Sequence, residues 1–402
     1  MDLRSHTTVK ERRIAIETAM NVSLASTGSS LLDENLMGKH HCENMIGTIQ
    51  IPLGIAGPVR MNKFFYPDGS LCTNVDLLLP LATTEAALVA SVSRGCKAIS
   101  ESNGAIVEVE DMGATRGPAF HVGSIEEGKK LSEFCQHYYQ ELKHIAENTS
   151  HHLEFRSWKL DGVGPYRYIR FVFGTGDAMG LNMVTIASDQ IVRYIEKQTG
   201  IRCIAVSGNY CVDKKASWMN VIEHRGHPIR AEVTLSSQVL QTVLKTTAEA
   251  VFETWMSKCM IGSALTGTIG NNAQMANVLA AMFIATGQDP AHVTEGSTGF
   301  TTTKVLPALP RDESTATQLA VSIYLPDCMI GTIGGGTSLP TQKEAISIIA
   351  SGYKVTDRIS TEMLSAAVAV GVLAGEISLL SSLSEGSLAR AHETLARGKN
   401  TK

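Results

Sequence analysis

Apolar residues along this 402-residue chain fall into two rhythms, short β-like runs and longer helical ones, with glycine between them. Val9 to Met20 has helical spacing behind Thr7 or Thr8, either of which can cap the helix start, and residues 1–35 read as a helical arm. Ile46 to Val59 (IGTIQIPLGIAGPV) is apolar but broken by Gly and Pro, which predicts strands and turns, and a helix is predicted from Thr84 to Ser100. Ile106 to Glu110 is strand-like. Ser124-x-x-Glu127 has the form of a capping box opening a helix that runs to Glu147. Tyr166 to Phe173, rich in aromatic and β-branched residues, reads as a strand. Leu181 to Lys197 reads as a helix closed by Gly200, and Cys203 to Val206 as the next strand. This β-α-β-α-β order predicts a compact α+β module inserted in a larger domain. From Ser207 onward the pattern predicts mostly helix interrupted by glycine-rich turns. The longest apolar stretch, Leu364 to Leu380, is interrupted by Ser365, Gly371, Gly375, Glu376 and Ser378. A membrane span needs about 20 predominantly apolar residues, so this stretch predicts a buried helix instead.

Composition narrows the class. A hydrophobic content of 44% supports a sizeable core, and the length leaves room for two or three domains. A formal charge of -4 offers no broad basic field, so no nucleic-acid partner is expected. The polar, charged start MDLRSHTTVKERR is not a signal peptide. Eight cysteines without a C-x-x-C pair suit reduced thiols better than a disulfide framework or a zinc site. The expectation is a soluble cytoplasmic protein with no membrane partner.

Several short motifs invite chemistry, and each has an ordinary explanation when read singly. Gly174-Thr-Gly176-Asp177-Ala-Met-Gly180 lies between a strand and a helix, where backbone N–H groups can meet phosphate, but a tight turn explains it equally well. Gly331-Thr-Ile-Gly334-Gly335-Gly336-Thr337 has Thr337 where a P-loop needs lysine, which disfavours a nucleotide-phosphate transferase. Asp213-Lys214-Lys215 places a lysine where it can steady an oxyanion, although paired lysines are usually solvated surface. Glu85 at a helix start can simply complement the helix dipole, Asp289 can be a turn residue, and His392 can be surface.

Taken in order, ENMIGTIQIPLGIAGPV, PLATTEAALVASVSRGCKAI, ATRGP, GDAMGLNM, SGNYCVDKKAS, GSALTGTIG, ATGQDPA, IGTIGGGTSLP and a late histidine span residues 36–395. This series resembles the 3-hydroxy-3-methylglutaryl-coenzyme A (HMG-CoA) reductase family, its class I branch in particular. The resemblance implies an α+β fold: an N-terminal helical region, 1–35, and a large mixed substrate (CoA) domain around a buried helix, in two parts, 36–115 and 207–402. Between these parts it implies an inserted small ferredoxin-like cofactor domain, 116–206, with a four-stranded antiparallel sheet. It further implies a homodimer or homotetramer with active sites between subunits, Glu43 and Asn44 matching the dimer-contact motif.

The implied activity is four-electron reduction of HMG-CoA to mevalonate and CoA with two NADPH, NADH being the alternative cofactor, and no metal. Glu85 matches the catalytic acid, Lys214 the oxyanion stabiliser, Asp289 the aspartate of the GQD motif, and His392 the histidine that protonates departing CoA thiolate. Arg94, Arg116, Ser207, Asn209, Asp213, Lys215, Lys258 and Asn277 match substrate-holding positions. Asp177, Met179, Gly180, Asn182, Gly334, Gly335 and Gly336 match cofactor-contacting positions. The chemistry needs these types: negative charge develops twice on one oxygen, so a fixed cation serves both hydride steps. Glu85 can supply a proton if Asp289 lies close enough to raise its pKa by like charge.

The chain also departs from the family pattern. Ser150 and His151 fall where class I enzymes place an arginine against the NADPH 2′-phosphate, with His152 and Arg156 as alternatives. Gln274 replaces a histidine in the stretch Gly270 to Asn277, and His292-Val293 replaces a Gln-Asn pair after the GQD motif. Gly398 stands where a regulatory phosphoserine is expected. These substitutions keep open a catalytically silent CoA-binding relative, or an NADH-using or oxidative-direction homologue.

Overall fold

The computed structural model describes residues 8–20, 23–25, 28–29, 32, 37, 41–307, 317–355 and 358–386. The first helix, Val9–Met20, opens on a reciprocal cap: Thr8 Oγ1 accepts from the Glu11 N–H at 3.1 Å, and Glu11 Oε2 accepts from the Thr8 N–H at 3.0 Å. Thr7 lies outside the described residues. Thirteen strands follow in chain order: β1 Leu53–Phe65, β2 Leu71–Ala82, β3 Ala105–Val109, β4 Ala114–Arg116, β5 Ala119–His121, β6 Glu154–Val163, β7 Tyr166–Gly174, β8 Cys203–Ala205, β9 Arg225–Gly226, β10 Ile229–Leu235, β11 Phe300–Leu306, β12 Gln318–Leu325 and β13 Asp327–Cys328.

Six of them form one sheet in the order β11-β12-β10-β3-β1-β2, mixed because β1 runs parallel to β3 while the other pairings are antiparallel. Strand β10 shows how the sheet is driven: Ile229, Ala231, Val233 and Leu235 are buried while Arg230, Glu232 and Thr234 are exposed, the period of two that sends alternate side chains to opposite faces. The buried face packs on the helix Thr361–Glu385. That helix is apolar on every side, so it has no solvent face and belongs in a core. It is long and apolar enough to cross a membrane, yet 89% of its apolar window is covered by protein. The helix Leu88–Glu101 reaches it because Gly95 has no side chain: a Cβ there would lie 1.9 Å from the Ala374 carbonyl oxygen.

A second core sits in the antiparallel sheet β4-β7-β5-β8, with β6 added on β7. Phe155, Phe171 and Phe173 from β6 and β7 pack against Leu131, Leu142 and Ile191 from the helices Ile125–His137, Tyr139–Glu147 and Leu181–Thr199. This is the ferredoxin-like α+β pattern expected between the two parts of the larger mixed sheet, with five strands rather than four.

Three expectations are corrected and one is completed. The described residues after Ser207 are mostly helix, as expected, but β10, β11 and β12 also lie there and supply half of the large sheet. The first helix after Thr84 starts only at Leu88, because Ala87 takes a left-handed φ of 73°. The helix opened by Ser124 stops at His137 and a second begins at Tyr139, the intervening Tyr138 leaving helical geometry at φ -98° and ψ 24°. Strands β4, β5 and β6 went unread, the first two being three residues long and β6 leaving most of its residues partly or fully exposed.

Candidate active site

Lys214 is delivered by a turn that spends backbone energy. Asn209, Val212 and Lys214 all take left-handed φ, at 65°, 48° and 57°, and Val212 is β-branched, for which that region is strained. The turn is held from three sides: the Val212 N–H donates to the Asn209 carbonyl at 3.0 Å, Asn220 Nδ2 donates to the Val212 carbonyl at 3.1 Å, and the Lys214 N–H donates to Glu295 Oε1 at 3.3 Å. Opposite stands Asp289, just past the helix Met275–Thr286, whose end is capped by left-handed Gly287. Gly287 is obligatory for a second reason: a Cβ there would meet the Gly336 carbonyl oxygen at 2.3 Å, so the two glycine turns lie backbone to backbone.

Lys214 Nζ and Asp289 Oδ2 meet at 2.6 Å. Burial works against the charged carboxylate, but hydrogen bonds from Lys214 and from the Ala291 N–H, with the charges of His292 and Lys214, hold the Asp289 carboxyl below the usual carboxylate range. The pair lies on the wall of a hollow of about 770 Å³. The same hollow gathers Arg116, Asp213, Met179, Gly180, Asn182 and Gly334, Gly335 and Gly336. Arg116 donates to Ser207 Oγ at 3.4 Å and lies 3.8 Å from Asp213 Oδ2.

A second hollow of about 690 Å³ shares Ala178, Met183 and Ile333 with the first, and is lined by His151, His152, Arg156, Asp177 and Arg358. The Asp177 carbonyl accepts from the Thr332 N–H at 2.8 Å, while its carboxylate accepts from the Thr361 N–H at 3.1 Å and from Arg358 at 3.2 Å. Asp177 thereby ties the Gly174–Gly180 turn to the glycine-rich loop and to the start of the core helix. Ser150 Oγ accepts from the His152 N–H at 3.2 Å, leaving His151 exposed at the rim. Arg156 is committed to Asp111 at 2.6 Å and Glu154 at 2.9 Å.

Glu85 lines a smaller hollow of about 250 Å³ with Asn277 and Ile284, and Ile284 also borders the large hollow. Asp289 pairs with Lys214, and the Glu85 backbone N–H donates to Thr83 Oγ1 at 3.0 Å in a turn ahead of the helix. Asn277 Nδ2 donates to Gln274 Oε1 at 3.4 Å, and Gln274 Nε2 donates to the Gly375 carbonyl at 2.7 Å. Asn209 and Lys215 are exposed on the Lys214 turn, where Lys215 Nζ donates to the Asp213 carbonyl at 3.3 Å. Two of the substrate-holding positions stand apart. Arg94 is spent on the core helix, donating to Ser378 Oγ at 3.1 Å and to the Ser378 carbonyl at 2.6 Å. Lys258 is exposed on the π-helical stretch Met256–Gly262. His392 and Gly398 lie outside the described residues.

Behind the Lys214 turn is a charge network that no motif announced. Arg225, fully buried, donates to Asp213 Oδ1 at 2.7 Å and to Glu295 Oε1 at 2.9 Å, and lies 3.9 Å from Asp327. Burial pushes the Asp327 carboxyl up to about 8 against the pull of Arg225, with Glu295 adding to the rise. Asp213, His292 and Glu295 bring possible metal-ligand atoms within 4.8 Å of one another. One oxygen of each carboxylate, Asp213 Oδ1 and Glu295 Oε1, already accepts from the Arg225 guanidinium, which makes the cluster part of an ion-pair network.

Fold and site together define a two-core α+β enzyme with its polar hollow where the two cores meet. The profile of the hydroxymethylglutaryl-coenzyme A reductase family matches residues 8–397. The chain is 41% identical over 393 residues to the 3-hydroxy-3-methylglutaryl-coenzyme A reductase of Methanothermobacter thermautotrophicus, covering 97% of this chain and 94% of that protein. The reductase of Methanocaldococcus jannaschii is 42% identical over 392 residues, 96% of this chain and 92% of that protein. Reductase 1 of Dictyostelium discoideum is 35% identical over 400 residues, 97% of this chain and 69% of that protein. This chain belongs to the HMG-CoA reductase family. Its fold also matches the class II reductase of Streptococcus pneumoniae solved bound to NADPH, with a TM-score of 0.65 at 18% identity, covering 95% of this chain and 98% of that one.

Proposed function

We propose that this protein reduces HMG-CoA to mevalonate and CoA, drawing two hydrides from NADPH. The observation that carries the reading is the Lys214–Asp289 pair at 2.6 Å on the wall of a hollow shared with two glycine turns, in a chain of this family. Lys214 is the fixed cation for the oxygen that becomes negative in both steps. Asp289 holds the Lys214 ammonium in place. Glu85 donates the proton to that oxygen from the adjoining hollow, and His392 protonates the departing thiolate. Arg116, Ser207, Asn209, Asp213, Lys215 and Asn277 hold the substrate, and Arg94 and Lys258 are assigned to it by family position alone.

The chain fits a dinucleotide. Two connected hollows offer the length, and a Cβ on Gly334 or Gly335 would meet none of the described residues within 4 Å. Gly180 opens the helix Leu181–Thr199, whose first N–H groups suit phosphate. Asp177, Met179, Gly180, Asn182 and Gly334 to Gly336 would hold the nicotinamide and diphosphate, and Ser150 with His151 the 2′-phosphate end. When bound, NADPH supplies the hydride.

The oligomer is a homodimer or homotetramer with the site between subunits, Glu43 and Asn44 at the contact. Support comes from Ile49, Ile51, Leu53 and Ile55, which are 88%, 39%, 51% and 41% exposed beside Glu85. A run of apolar side chains this exposed marks an interaction surface. Eight free thiols support a cytoplasmic setting. The test is spectrophotometric: purified protein should oxidise two NADPH per mevalonate formed, and faster than NADH. No thioester-dependent oxidation of either nucleotide overturns the proposal.

A further inference from the structure

We infer that His292 is a positioning residue for Asp289, its proton deciding how much of the Asp289 charge is left on Lys214. The inference rests on the reductase reading above. His292 closes the one-turn 3-10 helix Pro290–His292, three residues after Asp289, and residues so spaced in a 3-10 turn lie on the same side. The ring is fully buried, with Nδ1 2.5 Å from Glu295 Oε1. The same oxygen accepts from Arg225 Nη1 at 2.9 Å and faces the Lys214 N–H at 3.3 Å. An oxygen served by three donors is that of a carboxylate, which has no proton to give, so the proton of this contact is on Nδ1.

That leaves Nε2 as the variable atom. Among the described residues it has no hydrogen-bond partner although it is buried, and it faces Asp289 Oδ2 at 3.8 Å. Contacts of this kind are often long in an unliganded enzyme and tighten when substrate binds. With Nε2 protonated, the imidazolium shares the Asp289 oxygen with Lys214, and the ammonium keeps more of its positive charge for the substrate oxygen. With Nε2 bare, Asp289 is neutralised against Lys214 alone. The charged groups around the ring are Asp289 and Glu295 from its own segment, Asp213 at 3.9 Å and Lys214 from the turn, and Arg225 with Asp327 behind Glu295. The protonated ring is the form that frees Lys214, so turnover should carry a limb that falls as pH rises.

His292→Gln tests this, because glutamine is a neutral donor at every pH. The variant should keep its circular dichroism and its KM for HMG-CoA, lose between a few-fold and about tenfold in kcat, less than the ~100-fold typical of a direct proton donor, and lose the falling limb of the pH profile. A wild-type pH profile in the folded variant overturns the inference. Nitrogen-15 NMR of wild-type protein labelled at histidine provides a second reading that does not depend on the variant folding or on activity. Followed over a pH series from about 5 to 9, the His292 Nε2 resonance should respond to pH, and respond differently in Asp289→Asn. A ring that stays in one tautomer across that range, indifferent to Asp289, overturns the inference as well. A wild-type protein that never oxidises NADPH with HMG-CoA, yet shows the coupled titration, would reject the reductase reading and leave the Asp289–His292 coupling standing.

Discussion

Lys214 and Asp289 meet at 2.6 Å with 39% and 38% of their side chains exposed, whereas Arg225, one layer deeper, meets Asp213 at 2.7 Å and Glu295 at 2.9 Å with none of its surface exposed. The distances are alike and the dielectric is not. Near water, two charges at this separation attract weakly and separate cheaply, so a substrate oxygen can compete for the Lys214 ammonium. In the interior, the cost of stripping water from each ion is recovered only while the partners remain, so the deeper set is fixed. It bonds the Lys214 N–H through Glu295, and so the rigid network aims the loose pair. Catalysis needs both kinds of pair.

Removing Arg225 is the harshest way to break this contrast. Arg225→Met strands Glu295 and Asp213 without this cation, and breaking a buried pair in this way costs about 3–5 kcal/mol. Denaturant unfolding should show that loss, and a midpoint equal to wild type would mean the network contributes nothing. Lys214→Ala goes the other way. Turnover should fall on the order of 100-fold or more, as when one oxyanion donor is lost, while the exposed pair is worth only about 0–1 kcal/mol of stability. Near-normal turnover in the folded variant would remove Lys214 from the mechanism.

Asp327 sharpens the contrast through pH. Its carboxyl titrates at about 8 in the fold, because burial raises it more than Arg225 lowers it, against about 3.9 in an unfolded chain. Between those values the folded state holds the extra proton, so stability from this group is full below the unfolded value and is lost as pH rises toward 8. The slope is at most about 1.4 kcal/mol per pH unit. Asp327→Asn keeps the shape and cannot titrate, so unfolding midpoints compared at pH 5.5, 6.5 and 7.5 should decline less steeply than in wild type. Parallel slopes would mean that Asp327 is ionised in the fold.

What could be read from the sequence follows the same division. Lys214, Asp289, Gly334 to Gly336 and the Met179–Asn182 turn are brought to one hollow, and each lies in a stretch whose backbone demands leave a signature, such as Gly287 at φ 72° and Gly334 at φ 78°. Arg225, Glu295 and Asp327 carry no such mark. Glu295 lies 70 residues from Arg225, so only the folded chain shows that they are partners. His292 was visible as a departure from the family pattern, without a sign of what it touches. Arg94 shows the converse, since its motif assigns it to substrate while the fold shows its guanidinium bonded to Ser378. Of the large sheet only β1 and β3 were read; β2 and β10 to β12 were not, and β10 and β12 alternate for only seven and eight residues.

The smallest expected effect concerns the rim of the second hollow, where the contrast between committed and available charge decides cofactor preference. Arg156 has the permanent charge suited to a 2′-phosphate, but it is held by Asp111 and Glu154, so its charge is compensated within the protein. Arg358 is likewise engaged, with Asp177 at 3.2 Å. His151 is exposed on the same rim. A histidine, unlike an arginine, changes charge between about pH 5 and 8. Preference for NADPH over NADH should therefore be modest, widen by a few-fold toward pH 6, and lose that pH dependence in His151→Ala. Measuring kcat/KM for both cofactors at pH 6 and pH 8 in both proteins separates the cases. A strong preference indifferent to pH would mean that Arg156 or Arg358 leaves its carboxylate to meet the phosphate, and a preference for NADH at both values would remove the 2′-phosphate from the rim altogether.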